Sequence, residues 1–255
     1  MDILQALILG IVQGITEWLP ISSSGHLVLL QQLFNLGSSV AFDALLHLAT
    51  VLVIIIVFWK DLIAILKSVL SLKWDENTKL LLFIIIATIP TAIIGLVFKD
   101  WLIALFTNML MLGICFIING IILFLTRFAK DEKKELNWWK SVVIGISQGI
   151  SIIPSISRSG ATVSTGMFFG IEKKKLIRFS FLMAIPSIIG AFILEAKGLV
   201  FENHLALIIG SLAAIIVGYF ALKLVIKTIE KGKWHYYAYY CIILGIIIII
   251  LSFLI

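Results

Sequence analysis

Two stretches of the chain repeat the same polar pattern at a spacing of 135 residues, and both are embedded in apolar sequence. The first runs from Gly10 to Gly25 and the second from Gly145 to Gly160, and nine positions are identical without a gap. Arg158 stands in the second copy where the first has Ser23. Such a repeat predicts two halves of similar structure, residues 1–127 and 138–255, within a single membrane domain of residues 1–255.

The composition places both halves in a membrane. Hydrophobic residues make up 61% of the chain and charged residues 13%, whereas soluble proteins are about one half apolar and about one quarter charged. The 255 residues allow about six to eight spans of roughly 20 residues each. We therefore exclude the soluble classes, and we attribute the net charge of +6 to loops rather than to a nucleic-acid surface.

Basic residues are concentrated in four polar segments that hold 17 of the 20 lysines and arginines, near Lys67, Lys133, Lys174 and Lys231. The positive-inside rule places these segments in the cytoplasm. The remaining sequence predicts six spanning helices, at residues 42–59, 80–98, 108–126, 179–194, 204–222 and 236–255. Both chain ends and the short connections at Lys99 and Lys197 are then expected on the outer side.

The repeated stretches do not fit as simple spans, because Pro20 and Pro154 interrupt them halfway. We expect residues 2–37 and 138–171 to form re-entrant hairpins, since broken backbone at membrane depth must be covered by protein or line a wet cavity. One hairpin and three spans per half give an odd number of crossings, so the second half is inverted. The predicted fold is an all-α integral membrane protein with an inverted-topology repeat, six transmembrane helices and two re-entrant helix-loop-helix hairpins.

Two smaller patterns agree with a repeat. Gly10 with Gly14, and Gly145 with Gly149, form Gly-x-x-x-Gly pairs that favour close helix packing. A second echo relates Ile89-Pro90-Thr91 to Ile185-Pro186-Ser187.

The first loop combines a carboxylate with hydroxyl groups. Gln13 and Glu17 are four residues apart and share a helix face. A carboxylate at membrane depth is costly unless it is paired, so Glu17 is either a site residue or one half of a structural salt bridge. Behind Pro20 follow residues typical of an anion site at a helix N-terminus, namely Ser22, Ser23, Ser24, Gly25 and His26.

The second loop supplies a cation. Arg158 lies among Ser157, Ser159, Gly160 and Thr162. A planar guanidinium is well shaped to bind a phosphate through two hydrogen bonds; the alternative is a structural pair with Glu17.

A further polar pair lies at the outer end of the first span. Asp43 and His47 are also four residues apart, and they either support the site, bind a metal or make a local hydrogen bond.

These two loops resemble the paired signatures of the undecaprenyl-diphosphate phosphatase family of bacitracin-resistance type, over nearly the whole chain. The first motif reads Gln13, Glu17 and then Pro20-Ile21-Ser22-Ser23-Ser24-Gly25-His26. The second reads Pro154-Ser155-Ile156-Ser157-Arg158-Ser159-Gly160-Ala161-Thr162, with Ser155 where the family has glycine.

The resemblance implies that a polyprenyl diphosphate such as undecaprenyl diphosphate is hydrolysed to the monophosphate and phosphate, at the outer face of the cell membrane, with a divalent cation such as Mg²⁺ or Ca²⁺. Arg158 and the serines would hold the diphosphate, because phosphoryl transfer needs positioning and charge neutralisation. Ser23 is the candidate nucleophile, with His26 as base and acid. Glu17, helped by Gln13, would hold the cation or orient the attacking group, and direct attack by water would use the same residues.

The competing class is a transporter or flippase for an anionic lipid, because inverted repeats with broken helices are a transporter design. A histidine beside a serine cluster favours hydrolysis. The expected partners are the lipid substrate and the membrane, without nucleic acid, and a homodimer is left open.

Overall fold

The structure is a computed structural model that describes residues 1–36, 40–98, 108–195 and 203–254. This part of the chain is helical and contains no β-strand. The helices are α1 (Ile3–Thr16), α2 (Ser23–Leu33), α3 (Val40–Val57), α4 (Trp59–Leu70), α5 (Glu76–Val97), α6 (Met109–Leu125), α7 (Trp138–Ile150), α8 (Arg158–Phe168), α9 (Lys173–Glu195), α10 (His204–Glu230) and α11 (Tyr237–Ser252). Short 3₁₀ turns cover Thr126–Phe128 and Trp234–Tyr236. The predicted outer connections at Lys99 and Lys197 lie outside the described residues.

Five of these helices are long and apolar enough to cross a membrane, which identifies a multi-pass membrane protein. They are α5, α6, α9, α10 and α11. Helices α5, α9 and α10 extend the predicted spans at their polar ends. A sixth span is counted if α3 and α4 are taken together, although they meet at an angle of 76°.

Helix α4 differs from the prediction, which placed its residues in a basic loop. It buries Ile65 and Ser68 while Lys60 and Lys67 are exposed. A helix with one apolar and one basic face is stable along a membrane surface. Hydropathy alone does not detect it, because its charged face lowers the average.

The first helix of each repeated stretch packs closely on a helix of the opposite half. A Cβ built on Gly10 would lie 2.2 Å from the carbonyl oxygen of Gly210 on α10, and one on Gly145 would lie 2.1 Å from that of Ala87 on α5. The Gly-x-x-x-Gly prediction of close packing is therefore confirmed. Only a hydrogen atom fits at either position, so α1 packs directly on α10 and α7 on α5.

The direction of these helix pairs follows from their contacts. Helix α1 runs parallel to α10, because Gly10 meets Gly210 and Gly14 meets Ala214 and Gly218. Helix α7 likewise runs parallel to α5. Helices α6 and α11 are antiparallel, since Gly113 meets Gly245 whereas Gly120 meets Ala238.

Helix α5 begins at a well-capped turn on the predicted cytoplasmic side. The Asp75 carboxylate accepts hydrogen bonds from the Ser68 hydroxyl at 2.7 Å and from the backbone N–H groups of Asn77 and Thr78. These donors, the Ser68 hydroxyl first, lower the pKa of Asp75. The cap also ties α5 to α4, so the start of a helix that lines the central cavity is fixed.

Candidate active site

The two breaks in the repeated stretches meet inside the protein. Residues 17–22 join α1 to α2, and residues 151–157 join α7 to α8. Asn119 on α6 bridges them: its Nδ2 donates to the Pro20 carbonyl at 2.8 Å, and its Oδ1 accepts from the Ser157 N–H at 3.1 Å. The sequence analysis missed Asn119, although an amide in the apolar run 108–126 is a usable signal. Its side chain satisfies backbone groups that the broken helices leave unpaired.

The two loops present equivalent helix starts. Ser22 Oγ accepts from the Gly25 N–H at 3.3 Å, and Ser157 Oγ accepts from the Gly160 N–H at 3.1 Å. Helices α2 and α8 therefore both begin at the meeting point of the loops. Their free N–H groups and positive dipole ends favour an anion there.

Glu17 is the centre of the polar cluster. It is 5% exposed, and its Oε2 accepts hydrogen bonds from Ser23 Oγ at 2.7 Å and Gln13 Nε2 at 3.0 Å. Its Oε1 accepts from Arg158 Nη2, and His47 Nδ1 lies 3.0 Å from Oε2. Three donor groups and the His47 imidazole thus surround one buried carboxylate, which offsets the cost of its charge.

Arg158 joins the second loop to the first. It forms the ion pair with Glu17 that the sequence analysis considered as a structural role, and it also lines the central cavity. Its second amino group, Nη1, is buried and has no hydrogen-bond partner among the described residues. The guanidinium therefore keeps donors for a further anion.

His26 lies apart from Ser23, the residue it was predicted to activate. Its Nδ1 is 2.7 Å from the Ser22 carbonyl oxygen, and its Nε2 is 2.7 Å from the Tyr240 hydroxyl. Its ring stacks on Tyr240 at 5.7 Å and meets the edge of Phe116 at 5.5 Å. Both nitrogens are thus engaged, and His26 does not line the cavity. Its role as base and acid stays a prediction that this geometry does not support.

His47 instead lies at the cluster. Its Nδ1 is 2.9 Å from Gln13 Nε2, in addition to its contact with Glu17. Asp43, its predicted neighbour, accepts a hydrogen bond from Gln31 Nε2 at 2.7 Å. The sequence pattern did not show that His47 belongs to this cluster. Its spacing of four residues from Asp43 on α3 does not reveal that α1 packs beside it.

A cavity of about 580 Å³ opens from this cluster. Of the predicted site residues, its lining includes Glu17, Ser22, Ser23, Ser24, Ser157 and Arg158. Ser159 and Thr162 border a small void behind Arg158 instead. Gly25 and Gly160 lie where the loops pack closely, against Phe116 and Asn119, and Gln13 acts through Glu17.

Most of the remaining cavity wall is apolar and is formed mainly by the C-terminal halves of α5 and α9, although Thr88, Thr91, Gln148, Ser151 and Ser187 also line it. These halves contribute Ala92, Gly95, Leu96, Ile188, Gly190, Ala191, Phe192, Ile193 and Leu194. A Cβ on Gly190 would meet no atom within 4 Å. The cavity is therefore polar where the two loops meet and mostly apolar between the ends of α5 and α9, an arrangement suited to an amphiphile.

Gln148, the repeat equivalent of Gln13, holds the two cavity-lining helices together. Its Nε2 donates to Ser187 Oγ on α9 at 2.6 Å and to Thr91 Oγ1 on α5 at 3.2 Å. These hydroxyls follow Pro186 and Pro90, the residues of the second echo. Their spacing of 96 residues differs from that of the main repeat. The two similar segments thus share a role, because each supplies a hydroxyl that accepts a hydrogen bond from the same amide.

The described residues do not fit a metal centre held by the protein. No group of three or more His, Cys, Asp and Glu side chains suited to a metal occurs in the described part of the chain. Both oxygens of Glu17, the predicted ligand, already accept hydrogen bonds. The predicted Mg²⁺ or Ca²⁺ therefore stays a prediction.

Comparison with known proteins gives a consistent result. A family model described as "BacA: Bacitracin resistance protein BacA" matches residues 6–247. A relative from Carboxydothermus hydrogenoformans named "Undecaprenyl-diphosphatase" is 43% identical, over 99% of this chain and 98% of its own length. Relatives of the same name from Korarchaeum cryptofilum and Halothermothrix orenii are 41% and 39% identical, and each match covers at least 98% of both chains.

Ser155 stands where the related family has glycine, and the structure predicts how this difference affects stability. Ser155 has a φ of 67°, is completely buried, and its hydroxyl has no partner among the described residues. Glycine adopts this conformation freely, so Ser155→Gly should stabilise the protein by about 1 kcal/mol, or about 2–4 °C in Tm. Thermal unfolding in detergent measures this. Ser155→Ala, which removes the hydroxyl but keeps the Cβ, should gain less; a lower Tm for Ser155→Gly would contradict the argument.

Proposed function

The chain belongs to the BacA family of bacitracin resistance proteins, and on that premise we propose that it is an undecaprenyl-diphosphatase. It hydrolyses undecaprenyl diphosphate to the monophosphate and inorganic phosphate, which returns the lipid carrier to cell-wall or glycan synthesis. The observation that carries the proposal is the cluster of Glu17, Ser23 and Arg158 at the polar end of an apolar cavity.

The cavity suits both parts of this substrate. The diphosphate lies at the polar end, where α2 and α8 begin and where Arg158 retains an unpaired amino group. The prenyl chain lies between α5 and α9, whose outward faces at Ile93 and Ile193 are exposed. No described feature favours the alternative of an anionic-lipid transporter.

The reaction begins at Ser23. Its Oγ attacks the terminal phosphorus while its proton moves to Glu17 Oε2, 2.7 Å away. The bond from this phosphorus to the bridging oxygen breaks, and undecaprenyl monophosphate leaves with the electron pair. Arg158 stabilises the charge on the transferred phosphoryl oxygens.

A divalent cation, Mg²⁺ or Ca²⁺, enters this proposal with the substrate rather than as a protein-held centre. The diphosphate supplies the oxygen ligands that such ions prefer, and the ion would neutralise part of the substrate charge.

The finer architecture is also a proposal. We infer an inverted-topology repeat in which residues 2–37 and 138–171 are re-entrant hairpins that enter from opposite sides of the plasma membrane. The parallel pairs α1–α10 and α5–α7 and the antiparallel pair α6–α11 support it, because an inverted repeat requires this combination. The cavity then opens to the extracytoplasmic side, where α5 and α9 end.

Purified protein tests the activity directly. We expect it to release one phosphate from undecaprenyl diphosphate in the presence of Mg²⁺ or Ca²⁺, and we expect a chelator to stop the release. Reconstituted vesicles provide the second arm. Movement of the intact lipid between leaflets without phosphate release under either ion would favour the transporter instead.

Impermeant thiol labelling tests the topology. In a background without Cys115 and Cys241, cysteine at position 203 should react from outside the cell and cysteine at position 231 only after lysis, because basic segments stay in the cytoplasm. The reverse pattern would refute the outward orientation of the cavity.

Arg158→Lys tests the transition-state role of the guanidinium. Lysine keeps the charge but loses the planar donor pair, so we expect kcat to fall by about 10²–10³, the effect of losing one preorganised donor. The variant should still fold and insert. If Arg158 only neutralises Glu17, Arg158→Lys should retain near-normal turnover.

A further inference from the structure

We propose that helix α4 is a binding surface for anionic phospholipid headgroups of one membrane leaflet. The helix has 12 residues and leaves the axis of α3 at an angle of 76°. A helix of this length is about 18 Å long, too short for a hydrocarbon core of about 30 Å. It therefore lies along the membrane rather than across it, whatever reaction the cavity supports. Its residues form three distinct faces.

The first face of α4 is fixed to the protein. Asp61 and Ser68 are seven residues apart on this face, and the buried Ile65 lies between them. Asp61 Oδ1 lies 2.7 Å from Arg178 Nε on α9. The Ser68 hydroxyl donates to Asp75 at the start of α5. The acidic groups Asp61 and Asp75 are thus engaged inside the protein, and the helix orientation is set by contacts with both α5 and α9.

The second face is apolar and exposed. Trp59, Leu66 and Leu70 follow one another at helical spacing and are 55%, 56% and 75% exposed. Trp74, four residues beyond the end of the helix, is also exposed. Tryptophan is typical of the boundary between lipid tails and headgroups, and an apolar stripe of this kind enters the outer part of the acyl layer. The stripe therefore sets α4 at the depth of the headgroups.

The third face is basic. Lys60 and Lys67 each follow a residue of the apolar stripe directly, so they lie about 100° around the helix from it. Both are exposed, and neither has an ion-pair partner among the residues that the structure describes. Their long stems let the ammonium groups reach the headgroup layer. Each lysine near an anionic membrane surface strengthens attachment about fivefold.

The three faces together select the partner. A zwitterionic headgroup offers the lysines no net charge, and a soluble polyanion leaves the apolar stripe in water. An anionic phospholipid satisfies both faces, because its tails contact the stripe while its phosphate pairs with the lysines. Since the first face holds the starts of α5 and α9, the bound lipid also steadies the two helices that wall the cavity.

The experiment titrates the purified full-length protein with phosphatidylglycerol or phosphatidylcholine and measures the affinity for each lipid by native mass spectrometry. We expect wild type to prefer phosphatidylglycerol. Lys60→Gln combined with Lys67→Gln should weaken that affinity by about 20-fold, from two lysines at about fivefold each, and should leave the affinity for phosphatidylcholine unchanged. Both positions are exposed, so the variant should keep the Tm of wild type in phosphatidylcholine.

Two further double variants serve as controls. Lys60→Arg combined with Lys67→Arg keeps both charges and should bind phosphatidylglycerol as wild type does. Lys231→Gln combined with Lys233→Gln removes the same charge from the exposed connection between α10 and α11, outside any α-helix. This pair should also bind as wild type does, because no apolar stripe places it in the headgroup layer.

Spin labels in nanodiscs that contain phosphatidylglycerol test the orientation of α4, in a background without Cys115 and Cys241. A nitroxide at position 66 should be relaxed by oxygen, which concentrates among lipid tails, and one at position 67 by a water-soluble nickel complex.

Several results would overturn the proposal. They are equal affinity of wild type for the two lipids, an equal loss in the Lys231 and Lys233 pair, a label at position 66 that contacts water, and displacement of the lipid by inorganic phosphate at the same concentration. The last result would identify a free-phosphate site instead. None of these outcomes bears on phosphate release from undecaprenyl diphosphate, so the proposed function is tested separately.

Discussion

The rest of the structure depends on how one carboxylate is kept charged in the interior of the protein. Glu17 is almost completely buried, and an isolated buried charge costs several kcal/mol. Arg158, Ser23, Gln13 and His47 offset this cost together, and they come from different parts of the chain. Satisfying the charge therefore requires α1, α3 and both loops to assemble. The same requirement places a hydroxyl, a guanidinium and an imidazole around one point.

The apolar framework exists to hold two pieces of irregular backbone at that point. A break in a helix leaves N–H and C=O groups without partners in the helix, and buried groups of this kind need partners from the protein. Asn119 supplies one donor and one acceptor to the two loops, and Ser22 and Ser157 cap the helices that follow. Close approach at Gly10 and Gly145 fixes the helices that precede. These contacts pre-form the positive helix ends that suit a diphosphate.

The sequence predicted the parts of this design that are written in local patterns. Long apolar runs predicted five of the spans, and the Gly-x-x-x-Gly pairs predicted the tight helix contacts. Helix α4 escaped prediction because its basic face masks its apolar one. The second echo reflects a shared contact, since Thr91 and Ser187 both accept hydrogen bonds from the side-chain amide of Gln148. His26 was favoured over His47 because it adjoins the serines in the chain, but adjacency does not specify which way a helix turns its side chains.

The sequence by itself determined that this is a helical membrane protein with two repeated polar loops, and it carried the motifs of the family to which the chain belongs. Hydropathy and motifs depend on residues that are close together in the chain, so both can be recognised without a structure. Only the tertiary structure decided which polar groups meet. Glu17 contacts Arg158 across 141 positions and lies beside His47 because α1 packs near α3, while His26 faces Tyr240 because α11 covers that side of α2. The physical reason is that a buried charge selects its partners by distance in space, and helix packing sets that distance.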